Sequence, residues 1–199
     1  MNLIEYNDVL PEIQHRWFKE VVTNPSFHWG FIQDSAYSGV ASEQLLSMDD
    51  KQKNPSFSMS ILESDYNHQD RYWFEKFELI FLTLLETAKL DKNLLQRARL
   101  GLYLPMKTIK EHNNIHVDRD YPHTVLLYYV NDNDGDTYWF DENDNIIHKF
   151  TPKANTAVVF DGMIRHASSN PSTGFKISLN LNVDAVSYTH LTLPTICSV

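Results

Sequence analysis

The sequence predicts an α+β fold in which helices come first and a β-domain follows. Two stretches of the N-terminal half carry apolar residues at helical spacing. From Ile115 onward, short β-branched and aromatic runs alternate with turn-forming clusters, the pattern of a sandwich or barrel. With 199 residues, 42% of them apolar and 13% aromatic, the chain can bury one sizeable core and does not read as disordered.

In order, residues 11–23 read as a helix. Pro11 sits where a first-turn proline is tolerated, and Ile13, Trp17, Phe18, Val21 and Val22 recur at helical spacing. Asn24-Pro25 ends it. Residues 27–50 read as loop with short elements, and Ser56–Glu63 alternates like a strand. Residues 65–90 form the clearest helix, with Trp73, Phe77, Ile80 and Leu84 on one stripe, suited to backing a β-sheet. Residues 94–104 pass from helix to strand. Strands follow at 124–130, Thr137–Phe140, Ile146–Phe150, 156–160 and 175–183. The turns between them hold Asp, Asn, Gly and Pro, at 132–136, 142–145, 152–155 and 169–174. This gives a single domain over 1–185, with helical support to about residue 97 and a β-core after it. Residues 186–195, Val-Ser-Tyr-Thr-His-Leu-Thr-Leu-Pro-Thr, resemble the translation of a transposon-type sequencing adapter. We therefore set 186–199 aside as not native, including His190 and Cys197.

The net charge of −9, with no basic stretch to offset it, disfavours nucleic acid as a partner. No segment reaches the length of a membrane span, and the first residues do not form a signal peptide. One cysteine makes no internal disulfide, which suits a cytoplasmic protein.

Chemistry concentrates between Asn114 and Asn182. His116 and Asp118 are two apart, so on a strand they project to the same face. His166 follows about 50 residues later, and Lys176 ten beyond that. Two imidazoles and a carboxylate are the protein ligands of the facial triad that leaves open positions on Fe(II). The alternative is three surface polar residues near loops, because a His-x-Asp alone is a weak signal.

The stretch from Arg97 to Val183 resembles the prolyl-4-hydroxylase-type branch of the 2-oxoglutarate- and Fe(II)-dependent dioxygenases, and related oxygenases of phages and marine microbes. The matching pieces are His116-Val-Asp118, Leu127-Tyr-Tyr-Val-Asn131 with its Asp/Gly turn, Thr151-Pro152-Lys153, Val158-Val-Phe160, His166-Ala167 and Gly174-Phe-Lys176-Ile-Ser-Leu-Asn180. The resemblance implies a double-stranded β-helix, a jelly-roll or cupin-like core. It implies that His116, Asp118 and His166 hold iron, and that Lys176 pairs with the distal carboxylate of 2-oxoglutarate. It further implies a hydroxylase that uses dioxygen and releases succinate and CO2. Tyr129 would donate its phenol to the same carboxylate, with Tyr103 as a weaker candidate; for both, a packed core aromatic is the alternative. Asn180 and Asn182 face the way Lys176 does and reach either the cosubstrate or the groups behind the metal.

The turn Asp134-Gly135-Asp136-Thr137 departs from the Gly-Gly that related enzymes often carry there. No peptide-binding segment is recognisable, so the primary substrate stays open. His112 and His123 flank the motif and either could line an entrance; His148 reads as solvent-facing. Arg119, Asp120 and Arg165 read as substrate contacts or as surface ion pairs. A cupin-like module that binds metal or ligand without redox turnover shares the same β-domain, and Lys176 is the residue that such a module does not need.

Overall fold

The computed structural model describes residues 3–36, 53–106 and 111–185. The adapter-like tail, with His190 and Cys197, lies outside them, as do residues 37–52 of the stretch read as loop.

Eleven strands and two α-helices make up the described residues: β1 Leu3–Asn7, α1 Glu12–Val22, β2 Gly30–Ile32, β3 Ser56–Glu63, β4 His68–Gln69, α2 Arg71–Thr87, β5 Leu95–Tyr103, β6 His123–Tyr129, β7 Thr137–Phe140, β8 Ile146–Phe150, β9 Thr156–Asp161, β10 His166–Ser168 and β11 Lys176–Asp184. The large sheet runs β1-β9-β6-β11-β5-β3-β2, with β4 beside β3. A smaller sheet, β10-β7-β8, lies opposite it. Both are antiparallel throughout. This is an α+β arrangement with two facing sheets and the helices stacked on the outer face of the larger one.

Period-two alternation sorts the large sheet into two environments. Ile177, Leu179, Leu181 and Val183 of β11 point to the helices, as do Ala98 and Leu100 of β5, Leu126 and Tyr128 of β6 and Ile61 of β3. There they meet Phe18 and Val22 of α1 and Phe77, Ile80, Phe81, Leu84 and Leu85 of α2. Val125, Leu127, Tyr129, Val158 and Phe160 point the other way and pack against Trp139 of the small sheet. On that inner face β11 carries Lys176, Ser178 and Asn180, and β5 carries Arg97, Arg99, Gly101 and Tyr103, which line a cavity between the sheets.

The structure differs from the sequence reading at several elements. Residues 65–90 are not one helix: Ser64–Tyr66 is a 3-10 turn, Asn67 takes a left-handed φ of 50°, and β4 follows. The helix proper begins after Asp70, whose carboxylate accepts the Trp73 N–H at 3.1 Å. Within 94–104 helical character is confined to the 3-10 turn Lys92–Leu94, and the rest is strand. The N-terminal region is not only helical support, because β1 to β5 supply five of the eight strands of the large sheet. β2 and β10, three residues each, are too short to show a period in the sequence, and β1 gains its strand by pairing with β9. No helix among the described residues is long and apolar enough to cross a membrane.

Candidate active site

His116 and Asp118 do not lie on a continuous strand. His116 forms an isolated antiparallel bridge with His166, with N–H···O bonds of 2.9 Å in each direction, and Asp118 lies in the loop beyond. The bridge, rather than strand alternation, sets the two imidazoles side by side, their centroids 4.7 Å apart. One ligand atom from each of His116, Asp118 and His166 lies within 4.8 Å of the others.

The hydrogen bonds prepare these atoms for a cation. The Nδ1 of His116 is 3.0 Å from the Asn114 carbonyl, and the Nδ1 of His166 is 3.1 Å from the Ile164 carbonyl. A carbonyl only accepts, so each Nδ1 carries the hydrogen and each Nε2 keeps its lone pair. Burial, helped by the neighbouring His166, pushes the His116 pKa down to about 4 against the opposing pull of Asp118, so the ring is neutral at pH 7. Burial alone would raise the pKa of Asp118. The Arg97 guanidinium, the two imidazoles and the Asn180 amide outweigh it and hold the carboxyl well below the usual carboxylate range. Asp118 accepts from Arg97 at 3.0 Å on one oxygen, and from Asn180 at 2.8 Å and Asn182 at 3.2 Å on the other. Two imidazoles whose Nε2 atoms point away from their backbone hydrogen bonds and an oriented, ionised carboxylate suit a divalent first-row metal.

Arg97 was not singled out from the sequence. It joins Asp118 to Glu63, 3.1 Å away, and Glu63 also pairs with Arg119, which pairs in turn with Asp65. Arg119 is thus a buried structural cation and no free substrate contact. The signal for Arg97 was available: it occupies the same period-two row as Tyr103, and that row becomes visible once residues 95–103 are read as strand throughout.

Lys176 is 1% exposed. Its ammonium donates to the Gly135 carbonyl at 2.7 Å and the Asp136 carbonyl at 3.4 Å, and no carboxylate pairs with it among the described residues. Asp136 is engaged elsewhere, by Lys149 at 2.9 Å and Thr151 at 2.7 Å. Burial therefore drives the Lys176 pKa down to about 7, only partly countered by Asp136. The turn that departs from Gly-Gly supplies the carbonyl cradle. Gly135 is required there, because a Cβ would meet the Ser169 carbonyl at 2.7 Å.

Both tyrosines flank the Lys176 ammonium, the Tyr129 ring centroid 6.0 Å from it. Tyr129 is fully buried but lies outside the cavity lining, and its hydroxyl donates to Thr137 at 2.9 Å. Tyr103 lines the cavity, faces Lys176 across the β5–β11 register and has its ring 5.5 Å from the ammonium. Asn180 also lines the cavity, with its amide bonded to Asp118. His112 packs on Tyr138 and Phe140, and the Nδ1 of His123 is bonded to the Tyr121 carbonyl; neither is among the described residues that line the cavity. His148 is half-buried beside Trp139 instead of facing solvent. Arg165 pairs with Asp144 at the surface.

No protein-family model matches the sequence, and no curated protein matches it significantly. Solved structures match through their folds. A Burkholderia pseudomallei oxidoreductase of the 2OG-Fe(II) oxygenase family aligns at 10% identity with a TM-score of 0.63, covering 92% of this chain and 84% of the other. A Trichoplax adhaerens prolyl hydroxylase, solved with a hypoxia-inducible-factor peptide, aligns at 10% identity with a TM-score of 0.62 over 92% and 83%. A Pseudomonas putida prolyl-4-hydroxylase aligns at 13% identity with a TM-score of 0.56 over 92% of each chain. From two facing antiparallel sheets to this common backbone trace, the chain has the double-stranded β-helix fold seen in these 2-oxoglutarate- and Fe(II)-dependent oxygenase structures.

Proposed function

We propose that this protein is an Fe(II)- and 2-oxoglutarate-dependent hydroxylase. The observation that carries the reading is one cavity holding two unlike features: a His116–Asp118–His166 cluster with free ligand atoms, and a buried lysine without an anion. A buried ammonium held only by carbonyls is costly unless a ligand supplies the counter-charge. The distal carboxylate of 2-oxoglutarate is that ligand in our reading, and its keto-acid end goes to the metal. A metal-holding module without turnover gives no reason for Lys176.

Bound together, iron, 2-oxoglutarate and dioxygen supply the oxidising chemistry, in which the cosubstrate loses CO2 to become succinate and a C–H bond of the substrate becomes C–OH. The chain's own residues bind and orient. His116 and His166 present Nε2, fixed by the carbonyls behind Nδ1. Arg97, Asn180 and Asn182 hold the Asp118 carboxylate in place. Lys176, with Tyr103 beside it, sets the depth and direction of the cosubstrate. Leu127, Phe57 and Ala167 on the cavity wall keep bulk water from the reacting atoms.

Anaerobic titration with Fe(II) and then 2-oxoglutarate tests this, read as the weak visible charge-transfer band of the chelate. We expect the band in the wild type and its loss in His166→Ala. No band at saturating cosubstrate, or an unchanged band in the variant, refutes the assignment.

A further inference from the structure

Besides Lys176, one other cation lines the cavity without an anion. Arg99 lies on β5, deep in the protein, and keeps some accessible surface because it borders the cavity. It makes no hydrogen bond and no ion pair among the described residues. Every neighbouring guanidinium is matched: Arg97 by Asp118 and Glu63, and Arg119 by Glu63 and Asp65. Burial and the like charge of Arg97 lower the Arg99 pKa to about 10, so it stays cationic at neutral pH. A guanidinium that faces the cavity, with no side-chain partner among the described residues, is open to a ligand carrying negative charge.

Register separates Arg99 from Lys176, although the Tyr103 ring leans back over Gly101 towards Arg99. In register it stands opposite Asn180, whereas Tyr103 stands opposite Lys176. Four residues of strand put those two rows roughly 13 Å apart. The small pair Gly101 and Ser178 lies between them on the cavity floor. Charge points the same way. With a divalent metal matched by doubly charged 2-oxoglutarate, Arg97, Arg99 and Lys176 face Asp118 and Glu63, while Asp65 matches Arg119. One positive charge is left, and it lies at the metal end of the floor, beside Asn180.

Resting on the oxygenase reading of this site, we propose that Arg99 anchors a carboxylate on the primary substrate, so that the protein hydroxylates a small carboxylic acid. The planar fork of a guanidinium takes a carboxylate through two parallel N–H···O bonds, which fixes orientation as well as position. A phosphate dianion would over-compensate the single charge. The Asn180 side chain, already tied to Asp118, places that carboxylate next to the metal ligands, so the C–H bond presented lies within a few bonds of it.

The test uses the full chain loaded with Ni(II) and 2-oxoglutarate, Ni(II) standing in for iron so that nothing turns over. The probes are the common L-amino acids, each paired with its carboxamide, with binding read by calorimetry and by thermal shift. We expect at least one acid to bind about tenfold or more tighter than its amide, the size of a charge-assisted contact. Arg99→Gln should abolish that preference and Arg99→Lys keep part of it, while the affinity for 2-oxoglutarate stays at the wild-type value in both. Equal binding of acid and amide overturns the proposal, as does the absence of any binding acid. So does a loss of 2-oxoglutarate affinity in Arg99→Gln matching the loss of acid, which would assign Arg99 to the cosubstrate. If Ni(II) and 2-oxoglutarate themselves fail to bind the wild type, the oxygenase reading falls and takes this proposal with it; if they bind and no acid does, this proposal alone falls.

Discussion

Replacing Lys176 with methionine should make the metal-free, cosubstrate-free protein more stable while removing its grip on 2-oxoglutarate. The side chain is 1% exposed, and burial lowers its pKa from 10.5 to about 7. Below pH 7 the lysine is protonated in both the folded and the unfolded chain, so the full cost of a buried charge is present. Between pH 7 and 10.5 the folded form sheds its proton while the unfolded form keeps it, and stability rises with pH. Above that window both are neutral and the cost is gone. A difference of this size corresponds to about 5 kcal/mol as an upper bound. Methionine fills similar space but forfeits the bonds to the Gly135 and Asp136 carbonyls, each worth about 0.5–1.5 kcal/mol. A net gain of roughly 2–4 kcal/mol is therefore expected at pH 6, or roughly 4–16 °C in Tm for a chain of this size. Urea unfolding of both proteins at pH 6, 7, 8 and 9 measures it. The wild type should gain stability across that series and the variant should not. A variant less stable than the wild type at pH 6, or a wild-type profile flat from pH 7 to 9, would refute the reasoning.

Three further outcomes follow from the structure. Asn180→Ala removes a 2.8 Å bond to the Asp118 carboxylate; calorimetric titration should show Ni(II) affinity falling by about 10–100-fold, as is usual when a ligand loses its support. In His116→Gln the metal-free protein should lose less stability between pH 6.5 and 4 than the wild type does. In the wild type the unfolded chain takes up a proton below 6.5 that the folded ring resists until about 4, a difference of at most about 3 kcal/mol, read from urea unfolding at pH 7, 5.5 and 4.5. Phe77 is fully buried among Trp17, Phe18, Phe27, Trp73 and Phe81, so Phe77→Ala should cost about 3–5 kcal/mol in denaturant unfolding without changing the affinity for Ni(II), since it lies on the helix side of the sheet.

Much of the scaffold is legible in the sequence because its signals are local. The stripe through Phe77, Ile80 and Leu84 marks α2, and the alternation of Lys176, Ser178 and Asn180 with Ile177, Leu179 and Leu181 marks a strand with two unlike faces. The spacing of His116 to Asp118 and the lysine ten beyond His166 name the residues of the candidate site in the same way. Local signals fail where the chain is interrupted by a single backbone conformation, as at Asn67, or where a strand is too short to show a period, as in β10.

Other features depend on which strands become neighbours. The bridge that sets His116 beside His166 and the register that puts Tyr103, not Tyr129, at the cavity wall join residues tens of positions apart. So does the line of charge from Asp118 through Arg97 to Glu63 and Arg119. The sequence alone determined which side chains alternate inward and which chemistry they carry, because a strand's two-residue period and a helix's 3.6 are properties of the local chain. Only the tertiary structure decided which inward groups satisfy one another and which, like Lys176 and Arg99, are left for a ligand, because charge compensation is settled by distance in space.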